Sequence, residues 1–106
     1  MTIFDIMNII EQHINEIKHL CENHSVNRLY LFGSVLRNEF AKESDVDFLV
    51  SFKNIELLKY ADNYFELKFS LEELLDRPVD LIEEQSIKNP YFLASLNESK
   101  RLIYES

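Results

Sequence analysis

Residues 29–52, LYLFGSVLRNEFAKESDVDFLVSF, constrain the fold of this chain more than any other stretch. They contain Gly33, the only glycine among 106 residues, directly after an apolar run. A second apolar run, rich in β-branched and aromatic residues, opens with Asp45 and Asp47 one residue apart. We therefore expect two strands joined by a connection that begins at glycine. Two negative charges would then stand at the start of a strand that is otherwise apolar.

The rest of the chain alternates between helical and strand patterns. Apolar residues at helical spacing predict two long amphipathic helices, over about residues 4–23 and 57–76. Three short apolar runs predict strands, at 27–32, 45–52 and 78–84. Residues 35–41 fit one or two helical turns, and the acidic run LEELLD at 71–76 is interpreted as a solvated face. Asn89 as N-cap and Pro90 at the first helical position predict a last helix.

Length and composition fit a single domain, which we place over residues 1–106. Hydrophobic residues make up 46 % of the chain, which is enough to build a core. Because strands and helices alternate, the predicted class is α/β (α+β), with a small mixed sheet flanked by helices.

The charge balance limits the partners that the chain can take. Its net charge is −8, from 11 basic and 19 acidic residues. Because such a surface repels phosphate backbones, we expect no direct nucleic-acid binding. The charge suits a basic protein partner, or a site whose carboxylates are balanced by metal cations. A solvated acidic surface accounts for most of it.

Cys21 is the only cysteine, so no disulfide can form within the chain. We expect a packed core thiol and a cytoplasmic setting. No apolar run approaches the roughly 20 residues that span a bilayer, so no membrane attachment is expected.

Three aspartates interrupt apolar strands. On a strand, Asp45 and Asp47 project to one face with Cα atoms roughly 6.6 Å apart. Like charges so placed are unfavourable unless a cation binds, and Mg²⁺ prefers such oxygen ligands. Asp80 stands inside PVDLI and would supply a third carboxylate if the two strands are neighbours.

Gly33 and Ser34 follow a predicted strand where a helical segment would begin. Such a position offers free backbone N–H groups to anions, and glycine lets the backbone approach a phosphate closely. The Ser34 hydroxyl adds a donor. Alone, a Gly-Ser pair after a strand is more often only a turn.

These motifs resemble the polymerase-β-like nucleotidyltransferases. The run GSVLRNEFAKESDVD fits their G-S-x₁₀-D-x-D pattern, and RPVDLIEEQSIKNPYF is similar to the C-terminal half of the small, antitoxin-like minimal nucleotidyltransferases. The resemblance covers nearly the whole chain and implies a polymerase-β-like nucleotidyltransferase fold. The chain departs from the pattern at Leu36, where a small residue is usual, and at Asn38 and Asp76, where glycine is usual.

The resemblance implies an enzyme that moves AMP from ATP to a hydroxyl acceptor, with Mg²⁺ as cofactor. Asp45, Asp47 and Asp80 would be the catalytic residues and would bind two Mg²⁺ ions. Asp80 would also help to remove the hydroxyl proton.

The same resemblance assigns nucleotide-binding residues. Gly33 and Ser34 would hold the phosphates of ATP. Two interpretations stay open for Arg37, which would reach the triphosphate or form a surface salt bridge with Glu39 or Glu43.

The implied partner is a HEPN-domain protein, a ribonuclease toxin whose tyrosine receives AMP, and the chain would be its antitoxin. A homo-oligomer is also compatible with the sequence. Two alternatives remain: a binding antitoxin without catalysis, and a small-molecule nucleotidyltransferase of the aminoglycoside-modifying type. The intact acids disfavour the first, and the lack of length for an acceptor-holding domain disfavours the second.

Overall fold

The computed structural model describes residues 3–32 and 46–106. Within these ranges, four strands form one sheet in the order β3-β2-β1-β4. Their bounds are β1 Val26–Phe32, β2 Val46–Phe52, β3 Val79–Glu83 and β4 Arg101–Glu105. Strand β2 pairs with β1 antiparallel and with β3 parallel, and β4 pairs with β1 antiparallel. The predicted mixed sheet flanked by helices is confirmed. The helical turns predicted at 35–41 lie outside the described residues.

The fourth strand was not predicted. Strand β4 has five residues, begins two positions after the last helix ends, and finds its partner β1 about seventy positions earlier in the chain. RLIYE is short and follows a helix with no glycine or proline between them, so the local sequence gave little indication of a strand.

Helices cover both faces of the sheet. Their bounds are α1 Ile3–Gln12, α2 Ile14–Asn23, α3 Leu57–Leu75 and α4 Pro90–Ser99, with a 3₁₀ turn at Glu84–Ser86. The Asn89 side chain accepts hydrogen bonds from the backbone N–H groups of Tyr91 and Phe92, at 2.9 and 3.2 Å, which confirms the predicted N-cap.

The continuous helix predicted over residues 4–23 is wrong in one respect, because His13 divides it. There the backbone leaves helical geometry, with φ −113° and ψ 17°. Ile10 and Ile17 on either side are both buried in the same core. Since the apolar spacing continues across the break, periodicity could not show it.

The core lies mainly on one side of the sheet. There α1, α2 and α3 cover β-strand residues such as Leu29, Phe48 and Val50. On the other side, Leu96 of α4 packs against Phe32 and Leu49. Strand β2 is thus buried on both faces, which explains its nearly unbroken apolar sequence.

Cys21 is fully buried in the larger core, and burial raises the pKa of its thiol to about 12. The expected core thiol is confirmed. In the described part of the chain, none of the helices combines the length and apolar character that crossing a membrane requires.

Asp76 follows the last residue of α3 and caps it, and its φ of 55° and ψ of 45° are left-handed. Glycine is favoured there because it has no Cβ. This is one of the positions at which the sequence departs from the family pattern, and aspartate is among the few other residues that tolerate the conformation.

Candidate functional site

Two of the predicted acids stand side by side in the sheet. Asp47 is the second residue of β2 and Asp80 is the second residue of β3, and they are direct Cα partners in the parallel pair. Neighbouring strands lie about 4.8 Å apart, so the two carboxylates arise from adjacent points of the sheet. The backbone N–H of Val46 donates to the carbonyl of Pro78 at 3.0 Å, which fixes this register at the start of both strands.

Both carboxylates belong to the face of the sheet opposite the larger core. Side chains alternate along a strand, and the neighbours Val46, Phe48 and Val79 are buried among the residues of that core. Asp47 is partly buried and Asp80 is exposed. The site is therefore open to solvent on the side of β3, an edge strand.

Strand β1 ends beside this pair. Phe32, its last residue, is the register partner of Asp47 and immediately precedes Gly33 in the sequence. The described residues thus bring together the end of β1 and the beginnings of β2 and β3.

The remaining predicted site residues lie outside the described residues. These are Gly33, Ser34, Arg37 and Asp45. Their roles therefore stay predictions. Asp47 and Asp80 are the two predicted site residues that the structure places, and it places them together.

Glu72 of α3 fixes the start of β3. Its carboxylate accepts a hydrogen bond from the backbone N–H of Val79 at 2.9 Å, and Lys68 Nζ lies 3.3 Å away. The Val79 hydrogen bond, aided by Lys68, holds the pKa of Glu72 below its ordinary value. The interpretation of LEELLD as a solvated face was therefore wrong for Glu72. This side chain positions Val79, the residue that precedes Asp80.

Two tyrosines of α3 hold the rest of β3. The Tyr64 hydroxyl donates to the carbonyl oxygen of Leu81, and the Tyr60 hydroxyl donates to the carboxylate of Glu83. The pKa of Tyr64 is raised, mainly by burial, with Lys68 opposing and the negative charge of Asp80 adding to the rise. Sequence reasoning missed both tyrosines. The available signal was tyrosine instead of phenylalanine on a core-facing stripe.

The Asp47 and Asp80 pair has the chemistry of a cation site, since both residues offer carboxylate oxygens from one face of a sheet. Within residues 3–32 and 46–106, no three His, Cys, Asp or Glu residues lie close enough to hold a metal ion. The third predicted ligand, Asp45, falls outside those ranges.

The sequence and the fold both have known relatives. A family model described as Polymerase beta, Nucleotidyltransferase matches residues 15–106. A Methanocaldococcus jannaschii protein named as a candidate protein adenylyltransferase is 39 % identical over 104 residues, which cover 97 % of each chain. The protein adenylyltransferase MntA of Thermococcus cleftensis is 38 % identical over 90 residues, which cover 84 % of each chain.

Solved structures share the fold. A candidate minimal nucleotidyltransferase is 28 % identical, with a TM-score of 0.71 over 95 % of both chains. Two more distant structures show the fold alone. One is a toxin–antitoxin with AMP-PNP, 22 % identical, with a TM-score of 0.63 over 88 % of this chain and 73 % of that one. The other is a tri-AMPylated Shewanella oneidensis HEPN toxin in complex with an MNT antitoxin, 21 % identical, with a TM-score of 0.61 over 91 % and 72 %.

The chain belongs to the polymerase-β nucleotidyltransferase family, and its fold is that of the minimal nucleotidyltransferases. Both the predicted family and the predicted enzyme class, a nucleotidyltransferase, are confirmed.

Proposed function

We propose that this member of the polymerase-β nucleotidyltransferase family transfers AMP from ATP to a tyrosine hydroxyl of a HEPN-domain toxin, for which it is the antitoxin. The observation that carries the proposal is the register of the parallel strands, which sets Asp47 beside Asp80 next to the end of β1. The cytoplasm is the proposed setting, since the lone Cys21 leaves no disulfide to form within the chain.

The relatives support the acceptor class and the partner. Proteins 38–39 % identical to this chain are named as protein adenylyltransferases or candidates for that activity. Among the structures with this fold, one contains an AMPylated HEPN toxin bound to an MNT antitoxin, and another toxin–antitoxin contains AMP-PNP. These are properties of those proteins, and they favour a protein acceptor over a small molecule here.

The family also implies Mg²⁺, and the residues fit it. Two carboxylates from adjacent strands, one partly buried and one exposed, form a hard oxygen donor set. We propose that Asp45, Asp47 and Asp80 hold two Mg²⁺ ions. When bound, the ions supply positive charge to the phosphates of ATP and to the acceptor oxygen.

The chain's own residues then orient the reaction. Asp80 is exposed on an edge strand, so it faces the side from which an acceptor hydroxyl can approach, and its carboxylate accepts the hydroxyl proton. The acceptor oxygen bonds to the α-phosphorus, the bond from that phosphorus to the β-phosphate bridging oxygen breaks, and pyrophosphate leaves. Gly33 and Ser34 are proposed to hold the leaving phosphates, with Arg37 beside them.

The direct test is AMP transfer. The chain is incubated with ATP, Mg²⁺ and a HEPN-domain protein encoded in the same genome, and the intact mass of that protein is measured. We expect a gain of one or more AMP units with wild-type protein and none with Asp47→Asn. If the wild-type chain silences the toxin with no mass gain, the function is that of a binding antitoxin and the proposal is wrong.

A further inference from the structure

The outer face of α3 carries an exposed apolar row. Leu58, Phe65 and Phe69 are 93 %, 49 % and 56 % exposed. Their spacing of seven and four residues puts them on one side of the helix, whereas Leu67 and Leu71 on the opposite side are buried in the core. We call Leu58, Phe65 and Phe69 the α3 stripe. It extends over about 16 Å of helix, or three turns.

The aromatic part of the α3 stripe is already ordered. The rings of Phe65 and Phe69 stack with centroids 5.9 Å apart, and Tyr64 meets Phe65 edge-on at 5.1 Å. Lys68 Nζ lies 5.3 Å from the Phe69 ring centre. Side chains held in this way lose little further freedom on binding, and apolar patches exposed in a row mark interaction surfaces.

The α3 stripe borders β3, the edge strand of the candidate site. Beside it, between α3 and β3, lies a cavity of about 410 Å³ whose walls include Phe65, Leu81 and Ile82. Ile82 follows Asp80 by two positions on the same strand, so it shares the face of that carboxylate. Phe65 therefore borders both the α3 stripe and β3, so a partner seated on the stripe also lies beside this edge strand, while Asp80 projects from the face of the sheet opposite α3.

The occupant that fits this surface is a helix. An extended segment would have to pair with the outer edge of β3, where the carbonyl of Leu81 already accepts the Tyr64 hydroxyl. A row of apolar side chains three turns long instead matches the apolar side of an amphipathic helix.

Charge determines which helix fits. Asp62, Glu66 and Glu73 are exposed along one side of the α3 stripe, and Glu83 lies across the cavity on the other. These four acids outnumber the two lysines of α3 near the stripe, Lys59 and Lys68. A second copy of this chain would bring the same acids against an acidic surface, which is unfavourable. A helix whose apolar row is flanked by lysine or arginine would be complementary.

We propose that the α3 stripe docks such a basic amphipathic helix of the toxin beside β3, so that the acceptor hydroxyl reaches Asp80 around this edge of the sheet. This inference rests on the proposed function, because it names the surface by which that function's protein substrate is held.

The test measures binding separately from transfer. Affinity for a HEPN-domain protein encoded in the same genome is measured for wild type, Phe65→Gln/Phe69→Gln, and the matched control Leu102→Gln, which changes a residue 53 % exposed on β4. We expect the double variant to lose at least about 30-fold in affinity, as at interface hot spots, and the control to stay within about 2-fold. Unchanged affinity of the double variant would overturn the proposal, as would a wild-type chain that does not bind.

A second variant checks the charge argument without touching the aromatic rings. Asp62→Lys/Glu73→Lys should slow association and weaken its dependence on salt, since the acids attract a basic partner. Faster association would contradict the proposal. If instead the wild-type chain forms a dimer that the phenylalanine double variant dissociates, the α3 stripe is a self-interface and the proposal is wrong.

The two proposals fail in different ways. A toxin that binds through the α3 stripe but gains no AMP disproves the transfer and leaves the docking surface standing. If the toxin gains AMP and also binds the phenylalanine double variant with wild-type affinity, the transfer stands and the docking surface is disproved.

Discussion

At one edge of the sheet β3 carries Asp80 and is fixed to α3 by Glu72, Tyr60 and Tyr64. At the opposite edge β4 lies against β1 with Ile103 as an extra residue in the pairing. An exposed ion pair there joins Arg28 Nε to Glu105 at 3.0 Å. Bulges and charges of this kind blunt an edge against further pairing, whereas the contacts to β3 set its position. The β3 edge is thus built to place a side chain, and the β4 edge to end the sheet.

Removing a carboxylate of the Asp47 and Asp80 pair should have the largest effect. Asp47→Asn or Asp80→Asn should lower the rate of AMP transfer by at least about 10³-fold, because cation-mediated stabilisation of the transition state contributes several kcal/mol and each ~1.4 kcal/mol is tenfold. Folding should survive, since relief of like-charge repulsion offsets any lost contact.

The β4 edge supplies the control. Glu105→Gln removes another exposed edge-strand carboxylate, far from the pair, and should leave the transfer rate within about 2-fold. A loss below about 10-fold for Asp80→Asn, or a large loss for Glu105→Gln, would remove the distinction between the edges.

The second-largest difference between the β3 and β4 edges should be in their contribution to stability. Glu72→Ala leaves the Val79 N–H without its carboxylate partner, whereas Glu105→Ala breaks an exposed ion pair. Urea unfolding should therefore show a clearly larger loss for Glu72→Ala, because an orphaned backbone donor is costly and exposed pairs contribute little. Equal losses would mean that β3 is held no more firmly than β4.

The Glu72 carboxylate should also make the stability of the fold depend on pH. The pKa of Glu72 is lowered in the folded chain, mainly by the hydrogen bond from the Val79 N–H. The contribution of Glu72 to the free energy of unfolding is therefore fully present above the unfolded pKa of about 4.3. It is lost as pH falls through the lower folded value. In acid titrations of stability, Glu72→Gln should flatten this decline. A decline equal to that of wild type would show that Glu72 does not carry it.

Tyr64→Phe offers a smaller test of the β3 edge. It removes the hydroxyl that donates to Leu81 and should reduce the free energy of unfolding by about 1 kcal/mol, the usual net value of such a hydrogen bond. Tyr91→Phe, at a position 86 % exposed, should change it by less than about 0.5 kcal/mol. The proposed role of Tyr64 fails if the two variants match.

Substitutions at two residues with left-handed backbone, each just before a strand, should have the smallest effect on stability. Asp76 before β3 and Ser25 before β1 have φ values of 55° and 58°. Replacing either with glycine should stabilise the fold by up to about 1 kcal/mol, because the left-handed conformation is unfavourable with a Cβ. A loss of stability in urea unfolding would mean that their side chains contribute more than the strain costs.

The sequence was informative where local chemistry decides structure. It predicted β1, β2, β3 and α3 to within a few residues, and it identified Asp47 and Asp80 as acids in apolar strands. Their shared register depends on parallel pairing across the intervening α3 helix, which no local pattern encodes. Strand β4 was missed for the same reason.

The side chains that support the site were harder to predict. Glu72 lies in an acidic run that looks solvated, and its role depends on the nearness of Val79, seven residues later and beyond the helix end. The sequence pattern indicates that Tyr64 is an ordinary core aromatic residue, and only the position of Leu81 in the fold shows its hydrogen bond. Such contacts depend on how the elements pack together and not on the local sequence.

The central claim is that Asp47 and Asp80 belong to one cation site. Isothermal titration of Mn²⁺ in the presence of saturating AMP-PNP would test it on wild type, Asp47→Asn, Asp80→Asn and the double variant, with Glu98→Gln as a control on α4. Ligands of one ion act together, so we predict that each single variant weakens Mn²⁺ binding by at least about 10-fold and that the double variant loses less than the two losses combined. Wild-type Mn²⁺ affinity in Asp80→Asn, or losses that simply add, would contradict the claim.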